Sequence, residues 1–305
     1  MILPVVGVDF TSAPSRRKPI TVAVGVLDVG AGDRVYRLKT ILELPDFEAF
    51  DSFLCDSGPW IGGFDLPFGQ PRELVVHEGW PTAWPALVPH YCGLTRDHLR
   101  ERFRRFCNGR PVGGKFAWRR TDRPAGSSPA MRWAQPPVAW MMHAGIGRML
   151  EAGLVFPAHR HPARTAGDPP RSTMALGDQR LALVADPGFA VRRVTRKPYK
   201  RDVRSATGRP SDPSEALRAK ARDRARAEIL SAMERDRSGL GVALVVPRRL
   251  RPRVLADGSG DLLDAAICGL QACRATLMPR WGLPQRLDPL EGWIATVPER
   301  PVQGD

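Results

Sequence analysis

Four aspartates stand at positions where charged side chains are uncommon. Asp9 and Asp65 each close a short apolar run, and Asp261 and Asp264 open a segment that is apolar nearly all round. Charged groups rarely occupy such positions unless they are paired or bind a metal. Mg²⁺ and Mn²⁺ take oxygen ligands, and two such ions about 4 Å apart can bracket the attacking and leaving oxygens of a phosphodiester. The aspartates therefore predict a site that holds Mg²⁺ or Mn²⁺, with two ions, and that acts on phosphodiesters.

Each aspartate also has a purely structural interpretation. An aspartate that closes a strand is often a turn residue, which accounts for Asp9 or Asp65 taken alone. Asp261 follows Gly260 and is placed to cap a helix N-terminus, and Asp264 complements the positive end of the same helix. The metal-site prediction depends on the four residues as an ordered set.

Strands and helices must bring these distant aspartates together. Runs rich in Val, Ile and Leu predict strands, at residues 2–10, 20–27, 35–44, 60–65, 181–185 and, as a final short strand, 293–297. The turn at Gly30 to Asp33 joins the second and third strands, so the first three form an antiparallel meander. Apolar spacing predicts helices that begin near Phe47 and that cover 97–106, 140–150, 214–233 and 261–273.

The domain organisation follows from length and from changes in composition. A chain of 305 residues with 43% hydrophobic content supports a sizeable core, and we predict a single domain over residues 1–305. From 72 to 175 the sequence is rich in Trp, Arg, Gly and Pro, which indicates an insertion between the fourth and fifth strands. Residues 203–214 are polar and contain Pro and Gly, so we predict a linker there that is able to move.

The charge balance favours a polyanionic partner. Lys and Arg number 46 against 32 Asp and Glu, a formal net charge of +14, which suits nucleic acid and equally describes a merely basic surface. Aromatic and cationic residues alternate near 115–123, a combination that stacks bases and neutralises phosphates. The candidates for phosphate neutralisation are Lys115, Arg119, Arg120, Lys197 and Lys200.

The cysteines and the apolar runs bear on the compartment. The five cysteines are odd in number and form no CxxC pair, which argues against a disulfide framework or a zinc knuckle and predicts a reduced, cytoplasmic protein. The first residues lack a basic leader and soon reach Asp9, so we expect neither a signal peptide nor an anchor. No apolar run approaches the roughly 20 residues of a membrane span, which predicts no membrane partner.

The ordered aspartates resemble a known superfamily. A three-stranded meander with Asp9 on its first strand, Asp65 on a fourth strand and a late Asp-x-x-Asp-Ala helix is similar to the RNase H-like nucleases, particularly Holliday-junction resolvases of the RuvC type. More narrowly, the chain resembles the family catalogued as domain of unknown function four-two-nine, a group predicted to be RNase H-like nucleases. The segments that carry the resemblance are Gly7-Val8-Asp9-Phe10, Gly63-Phe64-Asp65-Leu66-Pro67-Phe68-Gly69, Arg120-Thr121-Asp122, Pro136-Pro137-Val138, Pro198-Tyr199-Lys200, Asp261-Leu262-Leu263-Asp264-Ala265 and Glu291-Gly292-Trp293-Ile294.

This resemblance implies a fold, an activity and a set of site residues. The fold would be α/β and RNase H-like: a mixed five-stranded sheet, an antiparallel meander followed by parallel strands, flanked by helices and carrying the insertion. The activity would be nuclease hydrolysis of nucleic acid, with Mg²⁺ or Mn²⁺ held by the four aspartates. The remaining family-motif residues, Arg120, Asp122, Tyr199, Lys200 and Glu291, are carried over without an assigned role, and all but Glu291 are candidates for binding substrate.

One position departs from the family pattern. Where relatives often have a Glu-x-Tyr-Pro-like strand end, this chain has Val184-Ala185-Asp186-Pro187, so a carboxylate is missing at one position and another appears two residues later. Either Asp186 substitutes as a further metal ligand or the site is altered.

Other functions remain open at this stage. Sugar kinases and actin-like ATPases also begin with a Gly-x-Asp strand and turn, although they usually need a duplicated domain and a Gly-rich adenosine loop. A nucleic-acid-binding protein that keeps the fold without catalysis is a further alternative, consistent with the departure at Asp186. His159 and His161 form a pair that can ligate metal, but no companion cluster accompanies them.

Overall fold

A mixed sheet of six strands runs through the computed structural model, which describes residues 2–30, 33–159, 179–200 and 213–299. The strands are β1 Ile2–Asp9, β2 Ile20–Val29, β3 Arg34–Leu44, β4 Trp60–Asp65, β5 Arg180–Val184 and β6 Ala243–Val245. Their order in the sheet is β5-β4-β1-β2-β3-β6. Neighbours β1, β2 and β3 are antiparallel, β4 and β5 add in parallel beside β1, and β6 adds in parallel beside β3.

The α/β class, the meander and the parallel strands after it agree with the prediction, whereas the strand count differs. The sixth strand is β6, which no prediction covered. The predicted final strand at 293–297 makes only an isolated parallel bridge between Ile294 and Val184. Both differences arise at sheet edges, where so few residues pair that the sequence signal is weak.

Helices cover the sheet on both faces. They are α1 Phe47–Asp56, α2 Arg72–His77, α3 Trp84–Gly93, α4 Arg96–Asn108, α5 Asp122–Ala125, α6 Val138–Glu151, α7 Pro187–Arg192, α8 Pro213–Glu234, α9 Arg251–Ala256 and α10 Asp261–Thr276, with short 3-10 turns at Pro157–His159 and Pro279–Gly282.

The predicted helices near 47, 97–106, 140–150, 214–233 and 261–273 correspond to α1, α4, α6, α8 and α10. Helices α2 to α6 fall between β4 and β5, inside the segment predicted to be an insertion. Most of the predicted linker at 203–214 lies outside the described residues.

Two hydrophobic cores lie on opposite faces of the sheet. Successive side chains of a strand point to opposite faces, so Val6 and Val8 of β1 belong to one core and Leu3 and Val5 to the other. The first core, which we call the insertion face, is rich in aromatic residues from α1 to α6. The second, which we call the α10 face, is built from α7 to α10 and contains mostly aliphatic and small residues.

Helix α10 lies unusually close to the sheet because glycines face it. A Cβ atom on Gly7 of β1 would come within 2.0 Å of the Ala265 carbonyl oxygen, and one on Gly63 of β4 within 2.2 Å of the Cys268 carbonyl oxygen. Only glycine leaves room for such contact between a strand and a helix backbone. Gly7 and Gly63 come two residues before Asp9 and Asp65, so they fix how near α10 lies to those carboxylates.

His159, one member of the predicted histidine pair, is packed against an aromatic ring and a backbone carbonyl group. His159 stacks on Trp84 with ring centroids 4.4 Å apart, and its Nδ1 donates to the Pro289 carbonyl oxygen at 2.7 Å. Burial lowers the pKa of His159 to about 3, so the ring is neutral. His161 lies outside the described residues.

All five cysteines are free. Among the described helices, none combines the length and the apolar character required to cross a membrane.

Candidate active site

Asp9 and Asp65 lie side by side at the ends of neighbouring parallel strands. They are register partners in the β1–β4 pair, directly opposite each other. Strand alternation puts both on the face that carries Leu3, Val5 and Gly7, which is the α10 face. Two carboxylates 56 positions apart in the chain thus become neighbours because their strands run parallel and end together.

The first turn of α10 adds two more carboxylates. Asp264 is 1% exposed, and the side chain of Asp261 is 16% exposed. The structural interpretation of Asp261 as the helix cap is wrong: Gly260 occupies the N-cap position, and Asp257 Oδ2 accepts from the Leu262 amide at 2.9 Å. Since Asp257 satisfies that amide, the carboxylate of Asp261 is left for another role.

Tyr199 and Lys200, predicted as substrate-binding candidates, lie against this cluster. The Tyr199 hydroxyl donates to Asp264 Oδ1 at 2.7 Å. The Lys200 ammonium pairs with Asp264 Oδ2 and lies 3.9 Å from Asp261 Oδ1. Gly260 makes this approach possible: its φ is 78°, and a Cβ there would come within 3.0 Å of the Lys200 side chain.

Arg226 of helix α8 fixes the backbone that carries Tyr199 and Lys200. Arg226, 3% exposed, donates from Nη1 to the Tyr199 carbonyl oxygen at 2.7 Å and from Nε to the Leu255 carbonyl oxygen at 2.9 Å. A buried guanidinium that bonds two backbone carbonyls fixes the path of both segments. Arg226 is therefore a positioning residue behind the carboxylate cluster.

Burial and mutual repulsion disfavour full ionisation of the aspartate cluster. Burial, and then the charge of Asp186, raises the pKa of Asp65 to about 8. Burial also raises the pKa of Asp9 and of Asp264, although the Lys200 ammonium opposes this in both cases. The carboxylates of Asp264 and Asp9 in turn raise the pKa of Lys200 above its usual value, against the opposing effect of burial.

The donor chemistry of the cluster fits a divalent cation, but its present arrangement does not yet form a binding shell. None of the described groups donates a hydrogen bond to the side chains of Asp9 or Asp65. Carboxylate oxygens with unneutralised charge are the ligands that Mg²⁺ and Mn²⁺ take. Within the described ranges, however, no group of three or more His, Cys, Asp or Glu side chains is arranged to hold a metal ion. The ammonium of Lys200 lies instead against Asp261 and Asp264.

Asp186 lies just past the end of β5, next to the end of β4. Its charge acts on Asp65, so it belongs to the electrostatic environment of the cluster. Its own carboxylate is already engaged: Oδ1 accepts from the Phe189 amide at 3.0 Å as the cap of α7, and Oδ2 faces Arg192 Nη2 at 3.3 Å and accepts from the Ser127 hydroxyl. Asp186 thus neighbours the four aspartates while serving a helix cap.

A second polar cluster holds other residues predicted to bind substrate. Arg119 and Asp122 are 3% and 0% exposed and form an ion pair with an Nη2 to Oδ1 distance of 2.7 Å. The Glu291 carboxylate accepts from the amides of Arg72 and Arg120, each at 2.9 Å. These contacts tie the α5 region to the segment near 291, which is a structural role for Arg119, Asp122 and Glu291.

The remaining predicted cations lie on the surface. Lys115 is exposed, and the Arg120 side chain, also exposed, donates to the Arg286 carbonyl oxygen at 3.3 Å. Lys197 pairs with Glu228 at 3.2 Å, and its side chain is 70% exposed. None of these three contacts the four aspartates among the described residues.

Two arginines that the sequence analysis did not select lie beside the cluster. Arg16 and Arg17 line a cavity of about 350 Å³ that Asp261 and Arg253 also line. Both are exposed and have no ion-pair partner in the described part of the chain. The sequence signal was the run Arg16-Arg17-Lys18 immediately after the turn that follows Asp9.

No family model, no curated protein and no solved structure matches this chain.

Proposed function

We propose that the protein is a divalent-metal-dependent nuclease of RNase H-like architecture that hydrolyses phosphodiester bonds of nucleic acid. One observation carries the proposal: Asp9 and Asp65, register partners on adjacent parallel strands, face the first turn of α10, which brings the buried Asp264 to them. Burying several carboxylates near one another is unfavourable unless cations compensate them. The raised pKa values of Asp9, Asp65 and Asp264 reflect that unfavourable charge.

Asp9, Asp65, Asp261 and Asp264 would hold the metal ions, and Mg²⁺ or Mn²⁺ would supply charge neutralisation and an activated water at the scissile phosphate. Binding such an ion requires the Lys200 ammonium to withdraw from Asp264. The side chain of Lys200 is 40% exposed, so it has solvent to withdraw into.

The chain's own cations would hold the substrate. Arg16 and Arg17 are exposed, share a cavity with Asp261 and have no ion-pair partner among the described residues, so they are available to neutralise phosphates beside the cluster. Lys200, once withdrawn from Asp264, would be within reach of the same phosphates. The net charge of +14 favours association with a polyanion over the whole surface.

The RNase H-like assignment is supported by the arrangement of the sheet. An antiparallel meander followed by two parallel strands is what the resemblance implied, and Asp9 and Asp65 close the first and fourth strands in that order. The late helix that carries Asp261 and Asp264 packs against those same strands.

A cleavage assay tests the proposal directly. Labelled single-stranded, duplex and branched DNA and RNA are incubated with Mg²⁺, Mn²⁺ or EDTA, using the wild type, Asp9→Asn and Asp264→Asn. We expect metal-dependent products from the wild type and none from either variant, since both lose a metal ligand. Asp97→Asn is the matched control because that carboxylate is 89% exposed in a surface pair, and it should cleave like the wild type. Full activity in Asp9→Asn would refute the site.

The position of Lys200 favours a second candidate, a non-catalytic nucleic-acid-binding protein of the same fold. In such a protein Lys200 would be the permanent counter-ion of the carboxylates and no metal would bind. Calorimetric titration with Mn²⁺ separates the two: heat that disappears in Asp9→Asn supports the nuclease, whereas salt-sensitive nucleic-acid binding without Mn²⁺ uptake or products supports the binding protein.

A further inference from the structure

A cleft of about 240 Å³ opens directly beside the carboxylate cluster. Asp65 lines it, so the cleft and the proposed metal site share a wall. The other walls come from the loop at 126–128, the start of α6 and the segment after β5. Its volume is below the range of about 300–1,000 Å³ that is usual for sites that take drug-sized ligands. The cleft therefore suits a group smaller than a drug-sized ligand, and a base pair is too large for it.

Part of the lining of the cleft, which we call the apolar wall, is apolar. Pro67, Val138, Met141 and Ile294 line it, and each presents hydrocarbon or thioether surface. Such side chains pack against the flat face of a nucleobase, since every base has an apolar π-face and flipped or single-stranded bases are commonly held in this way.

Another part of the lining, which we call the polar edge, is polar and already ordered. The Ser127 hydroxyl donates to Asp186 Oδ2, and Arg192 Nη2 lies 3.3 Å from the same oxygen. Arg192 Nη2 also donates to the Ala125 carbonyl oxygen at 2.5 Å, which fixes the guanidinium. The side chains of Asp186 and Arg192 are 15% and 42% exposed, and both keep hydrogen-bonding capacity beyond these contacts, because a carboxylate oxygen accepts more than one hydrogen bond and a guanidinium has five N–H donors.

Two glycines allow this edge to form. A Cβ on Gly188 would come within 2.7 Å of Arg192 Nη1, and one on Gly126, whose φ is 69°, within 3.1 Å of Arg192 Nε. A larger residue at either position would displace the guanidinium, so both glycines leave room for Arg192 in its present position.

We infer that this cleft binds one unpaired nucleoside next to the scissile phosphate, and that the substrate is therefore single-stranded nucleic acid or an unpaired end. The inference rests on the proposed function, because the phosphate would lie on the aspartates. The base edge offers both donors and acceptors, which match Asp186, Ser127 and Arg192, while its faces match the apolar wall. A base inside a duplex cannot enter without leaving its stack.

Filling the cleft tests the inference. Met141→Trp occupies the apolar wall, and Val112→Trp, at a position 93% exposed, is the control for an added indole. The probe is a short fluorescent single-stranded DNA, with binding followed by anisotropy in EDTA and cleavage in Mn²⁺. For Met141→Trp we expect the Kd and the KM to rise about ten- to hundredfold, the range that loss of one stacked base gives, with kcat changed far less. Val112→Trp should match the wild type in both.

The outcomes separate this inference from the proposed function. A raised Kd in Met141→Trp without any cleavage by the wild type would support the cleft as the nucleoside site of a binding protein. The same result would refute the proposed nuclease activity. Wild-type cleavage of fully paired duplex as fast as single strands, or Met141→Trp indistinguishable from Val112→Trp, would overturn the nucleoside cleft and leave the nuclease standing.

Discussion

The two clusters of charged side chains, one fully buried and one that includes the half-buried Asp9 and Asp65, differ in how completely their charges are matched. In the first, Arg119 and Asp122 neutralise each other, and Asp122 also accepts from the Arg119 amide at 2.9 Å. In the second, Asp9, Asp65 and Asp264 share the ammonium of Lys200. The first cluster needs nothing beyond the chain, whereas the second is short of positive charge.

That difference separates structural carboxylates from functional ones. A buried charge with its partner and hydrogen bonds in place connects segments and has no capacity left for a ligand. A buried carboxylate without donors retains affinity for a cation and weakens the fold in its absence. Asp9, Asp65, Asp122, Lys200 and Asp264 all lie in segments that carry the resemblance, so the resemblance alone did not distinguish them; the balance of charge does.

Breaking the matched cluster should have the largest effect on stability. Arg119→Met leaves the Asp122 carboxylate buried without its partner, and we expect the free energy of unfolding to fall by about 3–5 kcal/mol. Urea denaturation followed by circular dichroism measures it. Arg100→Met is the control: its pair with Asp97 is exposed, so the loss should be at most about 1 kcal/mol. Equal, small losses in both variants would contradict the structural role of Arg119.

Removing the cation of the unmatched cluster should destabilise the protein in a way that metal reverses. Lys200→Met leaves the carboxylates with less neutralisation, and because the lysine is partly exposed we expect a loss of about 2 kcal/mol in EDTA. Mg²⁺ or Mn²⁺ at about 100 times its Kd should restore about 2.7 kcal/mol. Thermal denaturation with and without the ion measures both. A loss that neither ion reverses would count against the metal site.

Removing one carboxylate from the unmatched cluster should stabilise the protein, whereas removing Lys200 should destabilise it. Because the pKa of Asp65 is raised to about 8 in the folded state against 3.8 unfolded, the wild-type free energy of unfolding should fall as pH rises from about 4 to 8. At pH 7 in EDTA, the free energy of unfolding of Asp65→Asn should therefore exceed that of the wild type by about 1–2 kcal/mol. Part of the pH dependence of stability should disappear in this variant.

The comparison for this variant is Asp97→Asn, whose exposed carboxylate should leave both the stability and its pH dependence as they are in the wild type. An Asp65→Asn protein less stable than the wild type at pH 7 would show that the buried charge is compensated after all.

The sequence by itself determined the parts of the fold whose signals are local. Alternating runs gave the meander, β4 and β5, and the apolar segment after Asp261 gave α10, because periodicity and turn residues act over neighbouring positions. The same local signals placed Asp9 and Asp65 at strand ends. They did not give β6, where only three residues pair.

Only the tertiary structure decided which polar residues meet. Asp9 and Asp65 are neighbours because their strands run parallel in register, and Lys200 reaches Asp264 because Arg226 and Gly260 fix its approach. Arg119 and Lys200 look alike in the sequence as basic residues near a motif. In the structure, Arg119 forms a matched ion pair with Asp122, whereas Lys200 pairs with Asp264 in a cluster that contains more carboxylates than ammonium groups. Burial and charge compensation depend on groups far apart in the chain, so no local pattern records them.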